Sequence, residues 1–193
     1  MLLMAVLSLF VAAVYIVRVG NYKRMLAYSS IENMGILAAA MAMGKPAIAA
    51  FLLHASGHSL AKAAFFLTSG NILKRYGVKE MSGVTGLRAA DGRTAWLWVL
   101  SFVMLSGIPP SPLFFSEFTI LKLMLSTGRW LPAVLMMAFI AVIIYGMATA
   151  VLRMFSGTAQ IPAEKLAALR YVPQAVLILA LAVISAMMLF MWG

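Results

Sequence analysis

Six apolar stretches, each near the ~20 residues a bilayer requires, follow one another along this chain and are separated by basic or Gly/Pro-rich turns. They occupy residues 2–17, 25–43, 47–73, 94–127, 131–155 and 171–192. With 64% of its 193 residues hydrophobic and only 10% charged, the chain has almost nothing with which to cover a water-facing surface. The reading is an all-α integral membrane protein with six transmembrane helices. Residues 1–15 carry no basic leader and no small-residue cleavage site follows them, so they read as a retained span and not a signal peptide.

A formal charge of +10 would suit nucleic acid, but the basic residues flank the spans instead of forming a patch, which speaks against nucleic acid as a partner. One set of alternate loops holds Arg18, Lys23, Arg24, Lys74, Arg75, Lys79, Arg88, Arg93, Arg153, Lys165 and Arg170, eleven in all, whereas the other holds only Lys45 and Arg129. Since cytoplasmic loops carry the excess of Lys and Arg, both termini are expected outside and the 74–93 loop in the cytoplasm. There is no cysteine, which excludes disulfides and Cys-ligated iron–sulfur or zinc sites. Two histidines and five scattered carboxylates suggest no metal site, and no cofactor is expected in this chain. The 16 methionines read as packing filler; Met136-Met137 and Met187-Met188 are neighbours on different helix faces, which does not make a copper path.

The third span holds residues 52–66, LLHASGHSLAKAAFF, which set His54, His58 and Lys62 at i, i+4 and i+8. On a helix these lie along one side over ~12 Å, drifting about 40° per step. A lysine at the bilayer centre costs several kcal/mol unless it is deprotonated, paired or wetted. Polar groups this expensive, aligned with the transport direction, suggest a proton relay. Neighbours about 6 Å apart along the axis are too far for direct transfer, so side-chain reach or bridging water is required. The bland alternative for His54 is a packing histidine bonded to a neighbouring span.

The fourth span is interrupted by Ser106-Gly107-Ile108-Pro109-Pro110-Ser111-Pro112. Pro109, Pro110 and Pro112 lack N–H donors and clash with carbonyls one turn earlier, so the helix must open, and carbonyls freed around 105–108 must be buried in protein or line a wet cavity. Five residues later Glu117 sits in the apolar run LFFSEFTIL. It suits a group that loads and unloads a proton; a plain kink, and a structural ion pair with a lysine of another helix, are the competing readings. Glu32 in the second span is either a membrane carboxylate or an interfacial partner of Lys23 or Arg24. Lys122 either pairs with Glu117 or snorkels to the outer surface, the second being favoured.

The segments NYKRMLAYSSIENMGI, HASGHSLAKAAFFLTSGNILKRYG and GIPPSPLFFSEF occur in that order. In them the chain resembles the antiporter-like membrane subunits of complex I, energy-converting membrane hydrogenases and multi-subunit sodium/proton antiporters, most of all hydrogenase-4 component F and its formate hydrogenlyase relatives. The resemblance is strong over residues 20–125, weaker over 1–19 and 131–155, and absent beyond 157. It implies a 14-helix fold built from two inverted five-helix repeats, each with one broken helix. This chain would correspond to the C-terminal half: residues 1–156 the second repeat, 157–170 a cytoplasmic connecting loop and 171–193 a C-terminal transmembrane helix.

By resemblance, His54, His58 and Lys62 match the family's His/His/Lys line, Glu117 the ionisable residue of the second broken helix, and Lys23 and Arg24 the basic pair of a D-x-K-R loop. Asn21 stands where Asp is common, and Ser111-Pro112 replaces Phe-Gly, which implies a stiffer break. The first repeat, with its own Glu and Lys, is not among these residues; another polypeptide supplies it, or the chain is a piece of a longer protein. The resemblance implies a proton-translocating subunit, or half-subunit, of a redox-driven complex in a prokaryotic cytoplasmic membrane. Its partners would be other membrane subunits and peripheral hydrogenase and iron–sulfur subunits, which would carry the iron–sulfur and nickel–iron centres. A sodium/proton antiporter subunit and a non-conducting membrane scaffold are the alternatives.

Overall fold

The computed structural model describes residues 1–159, 161–162 and 166–192. Lys165, one of the loop cations counted above, lies outside the described residues. Among them the regular structure is helical: α1 (Leu2–Ile16), α2 (Tyr22–Met43), α3 (Ile48–Tyr76), a single turn α4 (Leu87–Ala90), α5 (Gly92–Leu105), α6 (Pro112–Ser126), α7 (Trp130–Phe155) and α8 (Val172–Trp192). By length and composition, Trp130–Phe155 and Val172–Met191 are each able to cross a membrane. Leu2–Ile16 and Gly92–Leu105 are apolar but shorter, and α2 and α3 are long but carry buried polar side chains.

Helix ends follow local chemistry. Asn21 opens α2, its Oδ1 accepting the N–H groups of Lys23 (3.0 Å) and Arg24 (3.2 Å). Asparagine caps as well as aspartate does, so the departure from the family's Asp leaves the helix start intact. The chain around Asn21 is also stitched to the basic loop: Tyr22 Oη donates to the Val78 carbonyl at 2.9 Å, and Asn21 bridges to Glu80. Asp91 caps α5 and Ser111 caps α6, where Pro112 occupies the first turn that tolerates it.

α3 lies among α2, α5, α6 and α8, while α1 packs on α2 and α7. Gly57 permits the α3–α6 approach: a Cβ there would lie 2.8 Å from Leu113 Cδ1. Trp98 of α5 fills the centre against Phe65, ring centroids 4.3 Å apart. α7 buries Ala133, Met136, Ile140, Ile143, Met147, Val151 and Met154, a helical stripe that leaves its other side exposed. α8 presents Gln174, Ile178, Leu181 and Ser185 at the same spacing towards the bundle.

α8 is anchored at its start by a buried cluster. Tyr171 Oη donates to Asp91 Oδ2 at 2.9 Å and accepts the Leu166 N–H at 2.8 Å; Thr94 Oγ1 donates to the same carboxylate oxygen at 2.6 Å. The Arg93 guanidinium lies 5.5 Å from the Tyr171 ring centroid. Tyr171 thus acts as donor and acceptor at once, tying the chain before α8 to the α5 cap. Tyr171→Phe should destabilise the protein by about 1 kcal/mol. Asp91→Ala, which also strips the α5 cap, should cost about 2–3 kcal/mol. Melting curves in detergent check this; an unchanged melting temperature in Tyr171→Phe would mean that Tyr171 contributes nothing to the anchor, and equal losses from the two variants would mean that the α5 cap adds nothing.

Candidate functional site

The helix break comes first, because it sets where Glu117 lies. α5 stops at Leu105 and α6 starts at Pro112. Ser111 repairs part of the lost hydrogen bonding: its Oγ donates to the Met104 carbonyl at 2.6 Å and accepts the Leu113 N–H at 3.2 Å, while its own N–H donates to Ile108 O at 2.8 Å. Within the break Gly107 takes a left-handed backbone, φ +63°, and the Glu117 carboxylate packs directly on its α-carbon. A Cβ at Gly107 would fall 2.5 Å from Oε2 and 2.6 Å from Oε1. Glycine is therefore needed twice there, for the backbone and for the space.

Lys62 projects from α3 onto α2. Its Nζ donates to Ser29 Oγ at 2.6 Å and to the Leu26 carbonyl, and lies 5.5 Å from the Phe66 ring centroid. Glu32, one turn beyond Ser29, is 4% exposed and interacts electrostatically with Lys62 on one side and Glu117 on the other. Among the described residues neither carboxylate forms an ion pair, so Glu32 is a buried carboxylate and not a partner of Lys23 or Arg24.

His54 is fully buried, and its Nδ1 lies 2.9 Å from Ser116 Oγ. The Ser116 hydroxyl donates to the Leu113 carbonyl at 2.7 Å. With that single proton engaged, the shared hydrogen belongs on His54 Nδ1, and Nε2 is left as an acceptor. That Nε2, and Nδ1 of His58, are buried without a hydrogen-bond partner, as are Asn33 Oδ1, Trp98 Nε1 and Ser101 Oγ. His58 interacts electrostatically with both His54 and Lys62.

Five ionisable side chains from three helices thus occupy one buried region: Glu32 from α2, His54, His58 and Lys62 from α3, and Glu117 from α6. The remaining candidates lie elsewhere. Lys122 is exposed, while half-buried Lys23 and exposed Arg24 sit at the α2 N-terminus by the loop. Pro109 and Pro110 are exposed, and Pro112 is buried at the head of α6. Ser29 and Ser116 were not marked by the sequence, and Gly107 only as part of the interruption. The only signals for them were the i, i+3 relation of Ser29 to Glu32 and the adjacency of Ser116 to Glu117. Among the described residues no group of three or more His, Cys, Asp or Glu could hold a metal ion.

Fold and site together define a helical membrane subunit with ionisable residues in its interior. The chain belongs to the family described as NADH:quinone oxidoreductase/Mrp antiporter, TM, which matches residues 1–144. It is 36% identical over 121 residues to a hydrogenase-4 component F homolog of Methylacidiphilum infernorum, covering 62% of this chain and 25% of that protein. It is 31% identical over 124 residues to an NADH-quinone oxidoreductase subunit of Desulforudis audaxviator (63% and 25% covered). It is also 31% identical over 123 residues to a Na(+)/H(+) antiporter subunit of Alkalihalophilus pseudofirmus (62% and 24%).

The aligned part therefore spans about a quarter of the length of these relatives. Among solved structures the fold is similar to a chain of the membrane-bound sulfane sulfur reductase, an archaeal respiratory membrane complex, with TM-score 0.89 at 23% identity, covering 99% of this chain and 39% of that one. A chain of the Mrp complex from Dietzia sp. matches with TM-score 0.89 at 16% identity (98% and 44% covered). The family is one of integral membrane subunits of multi-subunit complexes, as the resemblance implied.

Proposed function

We propose that this chain is the proton-conducting half of an antiporter-like subunit in a hydrogenase- or complex I-like membrane complex of a prokaryotic cytoplasmic membrane. It spans the bilayer six times, as α1, α2, α3, the broken pair α5–α6, α7 and α8, with both termini outside and the 74–93 loop in the cytoplasm. Residues 1–156 act as the second repeat, and a membrane partner or a further part of the same protein contributes the first. Peripheral subunits carry the iron–sulfur and nickel–iron centres.

The observation that carries the reading is the burial of Lys62, Glu32 and Glu117 within electrostatic reach of one another, Glu117 lying at the helix break, with His54 and His58 along α3 beside Lys62. Protons exchange between Lys62 and Glu117 past Glu32. The unpartnered nitrogens of His54 and His58, with Asn33 Oδ1 and Ser101 Oγ, are the groups that bridging waters would satisfy. Burial next to one another makes each charge state depend on the next, so a change of charge or hydration near Lys62 shifts the proton on Glu117. The cost of a buried charge sets the strength of this coupling, and the redox reaction of the partner subunits supplies the driving force.

The second reading, a sodium/proton antiporter without redox coupling, is favoured by the likeness to the Alkalihalophilus antiporter protein. The native complex in sealed vesicles separates the two. Electron donor added without sodium should acidify the lumen, and a protonophore should collapse the gradient. Sodium-driven proton movement without donor would establish the antiporter reading; neither response would leave a scaffold.

A further inference from the structure

Away from the buried charges, three clefts run into one another along α1 and α7. One, about 370 Å³, is lined by Val17, Val19, Ser82, Tyr145, Thr149 and Arg153 among others. It shares Val19, Gly20 and Ser82 with a second of about 550 Å³ that holds Arg18, Arg24 and Glu80. The third, about 300 Å³, is apolar, formed by Phe10, Ala13, Val14, Phe139 and Val142, and joins the others at Val17 and Arg18.

Charge and shape change in step along this groove. At one end three exposed guanidiniums, Arg18, Arg24 and Arg153, form no ion pair among the described residues, against a single carboxylate, Glu80, whose Oε2 accepts the Lys79 N–H at 3.2 Å. From Arg18 back to Phe10 the groove follows α1 for ~12 Å, and from Arg153 back to Phe139 it follows α7 for ~21 Å. Those lengths bracket the ~15 Å depth of one leaflet's hydrocarbon. At the lip stand Tyr15 and Tyr28, stacked with centroids 5.2 Å apart, and the 69% exposed Tyr145, the residue type that settles at headgroup level.

We infer that this groove binds one anionic phospholipid, its phosphate held by Arg18, Arg24 and Arg153 and one acyl chain laid between α1 and α7. A free phosphate would use the guanidiniums and leave the apolar arm empty. A transmembrane helix of a neighbour would fill the apolar arm without needing the guanidiniums. A phospholipid uses both.

The test is mass spectrometry of phospholipid retained by the complete complex, purified in mild detergent from membranes containing phosphatidylglycerol and phosphatidylethanolamine. Phosphatidylglycerol should be retained selectively. Arg18→Gln and Arg153→Gln should each lower it about fivefold, and Val142→Trp, which blocks the apolar arm, should lower it too. Lys122→Gln, an exposed cation on α6, should leave it unchanged. Phosphatidylglycerol levels unmoved by both arginine variants would overturn the site. Displacement by millimolar inorganic phosphate would reassign it to a free anion. Loss of a neighbouring membrane subunit from the purified Val142→Trp complex, with phosphatidylglycerol retention unchanged in what remains, would reassign the groove to a protein helix.

Discussion

Lys62→Met should lower donor-driven proton uptake at least ~100-fold, the scale set by removing a positioned proton-transfer group, while the complex still assembles. Two considerations fix the sign of the stability change. The lysine is 8% exposed, donates to a hydroxyl and a main-chain carbonyl, lies over the Phe66 ring and has no contact ion pair among the described residues. Replacing a poorly compensated buried charge with an apolar side chain of similar length is neutral or stabilising. Ser29 loses nothing essential, because its hydroxyl donates to Leu26 O at 3.0 Å. A proton carrier therefore predicts lost transport with unchanged or raised melting temperature. A structural lysine predicts the reverse, lost stability with transport intact. Vesicle acidification and detergent melting curves on the same preparation distinguish them; transport at the parental rate would remove Lys62 from the relay.

Glu117→Gln should have an effect of similar size, since glutamine keeps the shape and the packing on Gly107 but cannot bind and release a proton. Gly107→Ala approaches the same carboxylate from the other side. The new methyl would overlap both carboxylate oxygens and would force alanine into a left-handed backbone, which alone costs about 1–2 kcal/mol. The side chain of Glu117 has to leave its seat, so transport should fall together with stability. Glu117→Gln alone separates chemistry from folding. Acidification at parental rate in Glu117→Gln would exclude that carboxylate, whatever Gly107→Ala does.

The positions of the helices were legible because apolar stretches bounded by Gly, Pro and basic turns leave little but helix between them. The expected span 2–17 is the helix Leu2–Ile16, 25–43 lies inside Tyr22–Met43, and the Pro-rich interruption falls between Leu105 and Pro112. The His54, His58 and Lys62 line was legible from spacing alone, because all three lie on one helix. The short turn Leu87–Ala90 was not, since four residues are too few to show a helical period.

What sequence alone determined is thus everything local: an apolar helical chain, the register of polar residues along α3, the site of the break and the family to which the motifs belong. Tertiary structure decided which buried groups meet. Glu32 could have faced the surface cations of its own helix, and only the packing of α2 on α3 turns it towards Lys62. Glu117 could have paired with Lys122, five residues on, but that lysine projects outward and the carboxylate folds back on Gly107. Spacing encodes angle around one helix; the distance between two helices is set by the small residues and caps that let them approach, which no single stretch of sequence contains.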